Sequence, residues 1–364
     1  MTIYNWQLTD WPHFQYDLSS MYETLFSIAE KMGFIRGEFD HVAENLKTET
    51  IIDLMVEEAV KTSEIEGEYI QREDVWSSIK NKLGLNPTVV RVADKRALGV
   101  AELMLDVRHT FKESLTESKL FDWHHMLLSG SRNSNIRIGA WRVDEETMQI
   151  VSGFQGKQVV HFEAPPSKRV PQEMKQFIQW FNETSISFPP VRAAIAHLYF
   201  ESIHPFDDGN GRIGRAIAEK ALSQGFGYPV ILSLSHAIEA NKKAYYAALK
   251  TASRSNEITA WIQYFSHVIS EAQIDVQKQI QFILKKAAFF AIYKDVLNER
   301  QLKVVHRMLK AGIKGFEGGM TAKKYMAITH TSKATATRDL QSMFENGVLR
   351  QIGSGRSVRY ELNL

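Results

Sequence analysis

The stretch from Val191 to Ile203, VRAAIAHLYFESI, is apolar nearly all round. A helix with no polar face must be enclosed on every side, so it belongs in the middle of a helical core that other helices wrap. Pro205 disfavours the α conformation at the residue before it, which predicts that this helix stops at His204. The loop PFDDGNG that follows is built of Asp, Asn and Gly, residues that favour turns and positive φ. A new helix is predicted from near Arg212 through AIAEKAL.

That succession carries chemistry. A glycine-rich loop leading into a helix N-terminus aims several backbone N–H groups at one spot, an anion site suited to phosphate. Arg212 and Arg215 lie three apart on one face of the new helix and add charge-assisted contacts. His204 stands on the rim of the loop as the one side chain there able to act as a base near neutral pH. Asp208 is a hard oxygen ligand beside a phosphate site, the usual way of holding Mg²⁺ jointly with a nucleotide. A lone histidine or a DDGNG turn is ordinarily structural. Concentrated in twelve residues, they point to phosphoryl or nucleotidyl transfer.

Two nucleotide-binding readings fail. Gly209, Gly211 and Gly214 spell G-x-G-x-x-G, but a buried helix precedes them where a strand is required, and no Asp or Glu lies between Lys220 and Ile238. The chain also contains no G-x-x-x-x-G-K-[ST]. Cysteine is absent, which excludes disulfides, thiol nucleophiles and cysteine-ligated metals. No apolar run approaches the roughly 20 residues of a membrane span, and MTIYNWQLTDW has neither the basic region nor the apolar core of a signal peptide, so no membrane partner is expected and the default compartment is the cytoplasm.

At 364 residues the chain has room for two or three domains. Tyr4, Trp6, Trp11, Phe14 and Tyr16 crowd the first 20 residues around Pro12, an irregular segment whose rings should be buried against the body. From Leu18 to about Gly130 the pattern is helical, with Ile52, Met55, Val56, Ala59 and Val60 on one amphipathic face. MQIVSGF and KQVVHF, separated by Gly156, read as a β-hairpin. Helical patterning resumes from Val170 to about Asn298. The last 65 or so residues are distinct, with 12 Lys/Arg against 4 Asp/Glu from Arg300 to Leu364, where the remainder carries 32 against 38. QLKVVHRMLKAG, MTAKKYMAITH and TSKATATRDLQSMFENG read as three helices with a short turn near Thr331 between the last two. VLRQIGSGRSVRYEL reads as two strands around a Gly-Ser-Gly tip, completing the order of a winged helix-turn-helix.

HPFDDGNGR followed by IGR, residues 204–215, resembles the Fic signature H-P-F-x-[DE]-G-N-G-R-x-x-R at every specified position. The resemblance extends over roughly residues 50–270. It implies a mainly α fold, a Fic-type helical core with a small β-hairpin flap, and transfer of AMP from Mg·ATP to a hydroxyl of a target protein. By this resemblance His204 deprotonates the hydroxyl, Asp208 coordinates Mg²⁺, Asn210 and the loop amides from Gly209 through Gly211 to Arg212 hold the α- and β-phosphates, and Arg215 reaches the γ-phosphate. Phe206 is implied to be a buried anchor. KQVVHFEAPP stands where the flap is expected, making Val159, Val160 and His161 candidates for lining the site and for aligning a target segment as an added strand. Tyr246, in NKKAYYAAL, is a candidate for an adenine contact.

A second segment breaks a local rule. In TSEIEG, residues 62–67, Glu64 and Glu66 sit in the last turn of a helix that Gly67 caps, where acidic groups oppose the macrodipole by about 0.3–1 kcal/mol each. The segment is similar to the Fic inhibitory motif [ST]-x-x-x-E-[GN] at Thr62, Glu66 and Gly67, which implies that Glu66 pairs with Arg215 and bars the γ-phosphate. The expected division is therefore an N-terminal region over 1–110 including an inhibitory helix at about 50–67, a Fic core over 111–275 with a flap at about 148–166, a connecting helix over 276–298 and a winged helix over 299–364. A homodimer would be a natural means of gating the inhibitory helix. In the winged helix, Lys333 and Arg338 on the third helix and Arg356 and Arg359 on the wing suit DNA. The rival to an enzyme is a DNA-binding regulator whose core senses a nucleotide. Within the enzyme class the same site can remove AMP, with Glu66 positioning water.

Overall fold

The structure, a computed structural model, describes residues 3–131, 135–144, 148–152 and 159–364. Its contacts divide the chain into two compact units, residues 1–276 and 277–364. In the first, helices α1 (Tyr22–Asp40), α2 (Glu44–Ile65), α3 (Arg72–Lys82), α4 (Lys95–His109) and α5 (Glu117–Leu128) precede an antiparallel hairpin of β1 (Gln149–Ser152) and β2 (Val159–Glu163). Then come α6 (Val170–Glu183), α7 (Pro189–Ile203), α8 (Asn210–Phe226), α9 (Leu234–Ala240), α10 (Lys242–Ala252) and α11 (Thr259–Tyr293), the last of which runs into the second unit. The tip of the hairpin, including Gly156, lies outside the described residues.

α7 is the axis of the first unit. All its residues from Val191 to Ile203 except Arg192 are buried, with α8 and α6 against it. Arg192 donates to the carbonyl of Phe181 at 2.8 Å and to Gln224, so its charged end is satisfied at the rim. α2 buries Ile52, Met55, Val56, Ala59 and Val60 against α3, α4, α8 and α9, the face its periodicity predicts. A satellite cluster of Tyr4, Trp6, Phe162 and Ala164 joins the N-terminal segment to the hairpin. The Trp6 indole donates to the carbonyl of Glu163 at 2.7 Å, and Asn5 donates to Ser202 Oγ at 2.8 Å, two residues ahead of His204.

The second unit holds α12 (Glu299–Leu309), α13 (Ala322–Thr329), α14 (Lys333–Glu345) and a hairpin of β3 (Leu349–Ile352) and β4 (Arg359–Leu362). Val304, Val305, Met308, Tyr325, Leu340, Met343 and Val348 make its core. Met320 bridges Tyr360 and adds a third short extended segment to the wing. Among the described residues no helix is long and apolar enough to cross a membrane.

Candidate active site

α7 ends as its sequence requires, and the end is strained. His204 caps the helix with φ +51°, in the left-handed region that costs a non-glycine residue roughly 1–2 kcal/mol. The buried Arg142 holds it there, donating from Nε to the carbonyl of His204 at 2.8 Å and from Nη2 to that of Pro165 at 2.5 Å. One guanidinium therefore ties the loop to the exit of the hairpin. Phe206 is fully buried and stacks on His124 at 4.0 Å. His124 Nδ1 accepts the N–H of Gly139 at 2.9 Å, so its Nε2 donates to the carbonyl of Asp208 at 3.2 Å.

α8 begins at Asn210, two residues before the expected start, because Gly209 adopts φ +80° as its N-cap. The Asn210 side chain is committed to the loop itself. It accepts from the N–H of Phe206 at 2.9 Å and donates to its carbonyl at 2.8 Å. What Asn210 offers an anion is its main-chain N–H. Asp208 Oδ1 takes the N–H of Gly209 at 2.6 Å, which leaves the N–H groups of Asn210, Gly211 and Arg212 as the donors that open the helix.

A carboxylate from α2 stands over those donors. Glu66 Oε1 lies 2.1 Å from the point where a Cβ on Gly211 would be built, so any side chain here would have to displace the Glu66 carboxylate. The same oxygen accepts from Arg215 Nη2 at 2.8 Å. Arg215, 1% exposed, also donates from Nε to Thr62 Oγ1 at 2.8 Å and from Nη2 to the carbonyl of Thr62 at 3.0 Å. Glu68, which the sequence reading did not single out, pairs with Arg212 Nη1 at 2.6 Å. Both arginines of the motif are thus engaged by one seven-residue segment, 62–68.

The end of α2 is built to hold that geometry. Gly67 takes φ +80°, its N–H donates to the carbonyl of Glu64, and the N–H of Glu68 donates to that of Ser63. Two carbonyls of the last turn also meet α10: Lys242 Nζ donates to that of Glu64 at 3.3 Å and the Tyr246 hydroxyl to that of Ile65 at 3.2 Å. Tyr246 therefore sits against the end of α2. Glu64 itself pairs with Lys61 at 2.6 Å.

Electrostatics follow from the pairing. Burial alone would raise the Glu66 carboxyl, but the adjacent Arg215, with Arg212 beyond, holds it below the usual carboxylate range. Burial and the nearby Arg142 push His204 down to about 4, so its imidazole is neutral at pH 7 with a lone pair available for a proton. Of the hairpin residues, Val160 is exposed and His161 half-buried, while Phe162 turns into the N-terminal cluster. The side chain of Val159 lies outside the described residues. Arg142, His124 and Glu68 are the contributors the sequence reading missed; each is far along the chain from what it holds and belongs to no motif.

A left-handed histidine, a clamped turn and a helix N-terminus bearing two arginines together make a loop that offers main-chain N–H groups to an anion. Residues 114–222 match the family described as Fic/DOC family, and the chain carries a Fic domain. Residues 4–85 match "Domain of unknown function (DUF4172)", and residues 317–363 match "Transcriptional regulator DIP2311-like, C-terminal domain". Protein adenylyltransferase fic-1 of Caenorhabditis elegans is 31% identical over 113 residues, 30% of this chain and 20% of the relative. A probable protein adenylyltransferase of Aquifex aeolicus is 34% identical over 92 residues, 25% of this chain and 26% of the relative. The chain thus spans about a fifth to a quarter of the length of these relatives. Among solved structures, a Fic family protein from Desulfovibrio desulfuricans G20 shares the fold with TM-score 0.53 and 20% identity, over 94% of this chain and 96% of that one. A Fic domain containing signaling protein from Bacteroides thetaiotaomicron matches with TM-score 0.53 and 18% identity, over 73% and 97%.

Proposed function

We propose that this protein is an autoinhibited protein adenylyltransferase that moves AMP from ATP to a hydroxyl of a target protein and of itself. The observation that carries the reading is the Glu66 carboxylate seated on Gly211 and Arg215, in the place an anion takes at the N-terminus of α8. A carboxylate there neutralises Arg215 and repels phosphate. When it leaves, the N–H groups of Asn210, Gly211 and Arg212 together with Arg215 become donors for a polyphosphate. In the transfer the target hydroxyl oxygen bonds to the α-phosphorus, the bond from that phosphorus to the pyrophosphate oxygen breaks, and the hydroxyl proton passes to neutral His204. The Asp208 side chain is 45% exposed and uses Oδ1 for Gly209 and Arg212. No group of three or more His, Cys, Asp or Glu able to hold a metal occurs among the described residues. That donor set fits Mg²⁺ held by Asp208 and nucleotide phosphates, where it would supply charge neutralisation. We place the target segment along β2, whose outer edge pairs with no strand among the described residues. The functional division we propose is 1–110, 111–275, 276–298 and 299–364, as read from the sequence.

Intact-mass measurement after incubation with Mg·ATP tests the reading on three proteins. Glu66→Gly should gain one AMP mass or more, wild type little, and Glu66→Gly/His204→Ala none. Equal labelling of Glu66→Gly and the double variant would remove His204 as the base.

A second reading concerns the C-terminal unit alone. Lys333, Ala334, Thr337, Arg338 and Gln341 form an exposed face of α14, and the net charge of the tail complements a phosphate backbone. We propose that this unit binds duplex DNA. Binding that weakens with salt and disappears on deleting residues 300–364 supports it; binding unaffected by the deletion overturns it.

A further inference from the structure

Beside the catalytic loop lies a group of buried polar side chains that the transfer step above does not use. Glu201, on α7, is 7% exposed, and its Oε2 is 3.7 Å from His204 Nδ1. Its Oε1 lies 2.5 Å from the point where a Cβ on Gly214 would be built, and His197 Nδ1 lies 3.1 Å from the same point. Glycine weakens a helix relative to alanine. At residue 214 it makes the cradle into which the Glu201 carboxyl fits. Glu201 Oε1 is a buried atom with no hydrogen-bond partner among the described residues, while the His204 and His197 rings also meet the main chain of Glu201 and Gly214. His197 is anchored by its other nitrogen, which meets the Tyr245 hydroxyl at 2.8 Å. A buried carboxyl with one oxygen unpartnered and the other facing the ring of the base is placed for a task in the reaction.

Resting on the adenylyltransferase reading, we propose that Glu201 is a positioning residue for His204, its carboxylate accepting from the Nδ1–H so that Nε2 faces the target hydroxyl and the imidazolium formed there is stabilised. The groups around this pair are Glu66 from α2, Arg142 from the segment before β1, Asp208 from the loop, Arg215 from α8, Tyr245 from α10 and His197 from α7. In the resting arrangement burial and then Glu66 push Glu201 up to about 8, against the pull of Arg215, so it is largely protonated at pH 7. Departure of Glu66 removes a neighbouring negative charge and leaves Arg215 facing Glu201, and both changes favour the carboxylate. The inhibitory residue therefore acts twice, by occupying the anion site and by keeping the partner of the base neutral.

The test compares Glu66→Gly with Glu66→Gly/Glu201→Gln and Glu66→Gly/Glu201→Asp. Glutamine keeps the shape of the neutral carboxyl, and a thermal melt of Glu201→Gln alone checks that the fold is kept. The His204 ring is followed by NMR of histidine-labelled protein, assigned with His204→Asn. Glu66→Gly should show His204 as the Nδ1–H tautomer, titrating above its resting position. Glu66→Gly/Glu201→Gln should lower it again, to the resting position or below, because the Glu66 charge that also raises His204 is absent. Automodification should fall about 10- to 100-fold in the glutamine variant, with the KM for ATP unchanged and the acid limb of the pH profile moved to lower pH; aspartate should recover part of the rate. The same His204 titration and tautomer in Glu66→Gly and Glu66→Gly/Glu201→Gln would overturn the proposal. Absence of automodification in Glu66→Gly would count against the transfer reading, while the His204 titration still decides the role of Glu201.

Discussion

The two units use arginine in opposite ways. In the first, Arg212 and Arg215 are buried, and each meets a carboxylate of the segment ending α2, Glu68 at 2.6 Å and Glu66 at 2.8 Å. In the second, Lys333 and Arg338 stand exposed on α14. A buried guanidinium must be paired, because an uncompensated charge in a low dielectric is costly, so its partner is part of the fold and becomes a control element when a second anion competes for the place. An exposed one is solvated and contributes little to stability, and its influence reaches outward until salt screens it. In the readings proposed above, the first arrangement serves as a switch and the second as a long-range attraction.

The sharpest way to break the contrast is to remove one charge from each kind of site. Arg215→Ala should lower unfolding stability by about 3–5 kcal/mol, read by chemical denaturation, whereas Arg338→Ala should stay within about 0.5 kcal/mol. Next come the two glycines on α8. Gly214→Ala sets a Cβ against Glu201 and the His197 ring and should lose about 1–3 kcal/mol. Gly211→Ala meets the far ends of two flexible side chains, Glu66 and Arg215. It should cost less, and that cost should largely vanish in a Glu66→Gly background, a coupling that a double-mutant cycle measures.

A pH series sharpens the comparison further, with opposite signs at two carboxyls. Glu66 titrates lower folded than unfolded, so its contribution is full above the ordinary carboxylate range and is lost as pH falls through its lowered folded value. Wild type should therefore lose stability more steeply than Glu66→Gln below about pH 4. Glu201 is raised to about 8, so its contribution is full below the ordinary carboxylate range and is lost as pH rises toward 8. Glu201→Gln should therefore gain on wild type as the pH of the melt rises from the ordinary carboxylate range to about 8, and hold that gain above it. The smallest effect belongs to the exposed charges. Lys333→Ala and Arg338→Ala should each reduce the salt slope of DNA binding by about one while leaving the melting temperature unchanged.

Much of this molecule is written locally. The apolar run ending at Pro205 defines α7 and its stop, the periodicity of Ile52 to Val60 defines the buried face of α2, and capping residues such as Asn298, Thr321 and Ser332 mark the starts of the tail helices. The His204–Arg215 motif and the TSEIEG segment are equally readable, since each is contiguous. α8 starts at Asn210, two residues ahead of the expected Arg212, because Gly209 caps it in the left-handed region, and the Asn210 side chain is held by the main chain of Phe206, so that its N–H is what faces an anion.

What the chain determined by itself was therefore the class of fold, the end of α7, the last turn of α2, the three tail helices, and the residue types at the anion loop. What only the tertiary structure decided was partnership. It set Glu68 on Arg212, Arg142 across the end of α7, and Glu201 in the cradle of Gly214 beside His204. Periodicity reports which face of an element is buried. It carries no information about which distant charge will be buried with it, because that depends on how whole helices pack and on the cost of leaving any one of those charges alone.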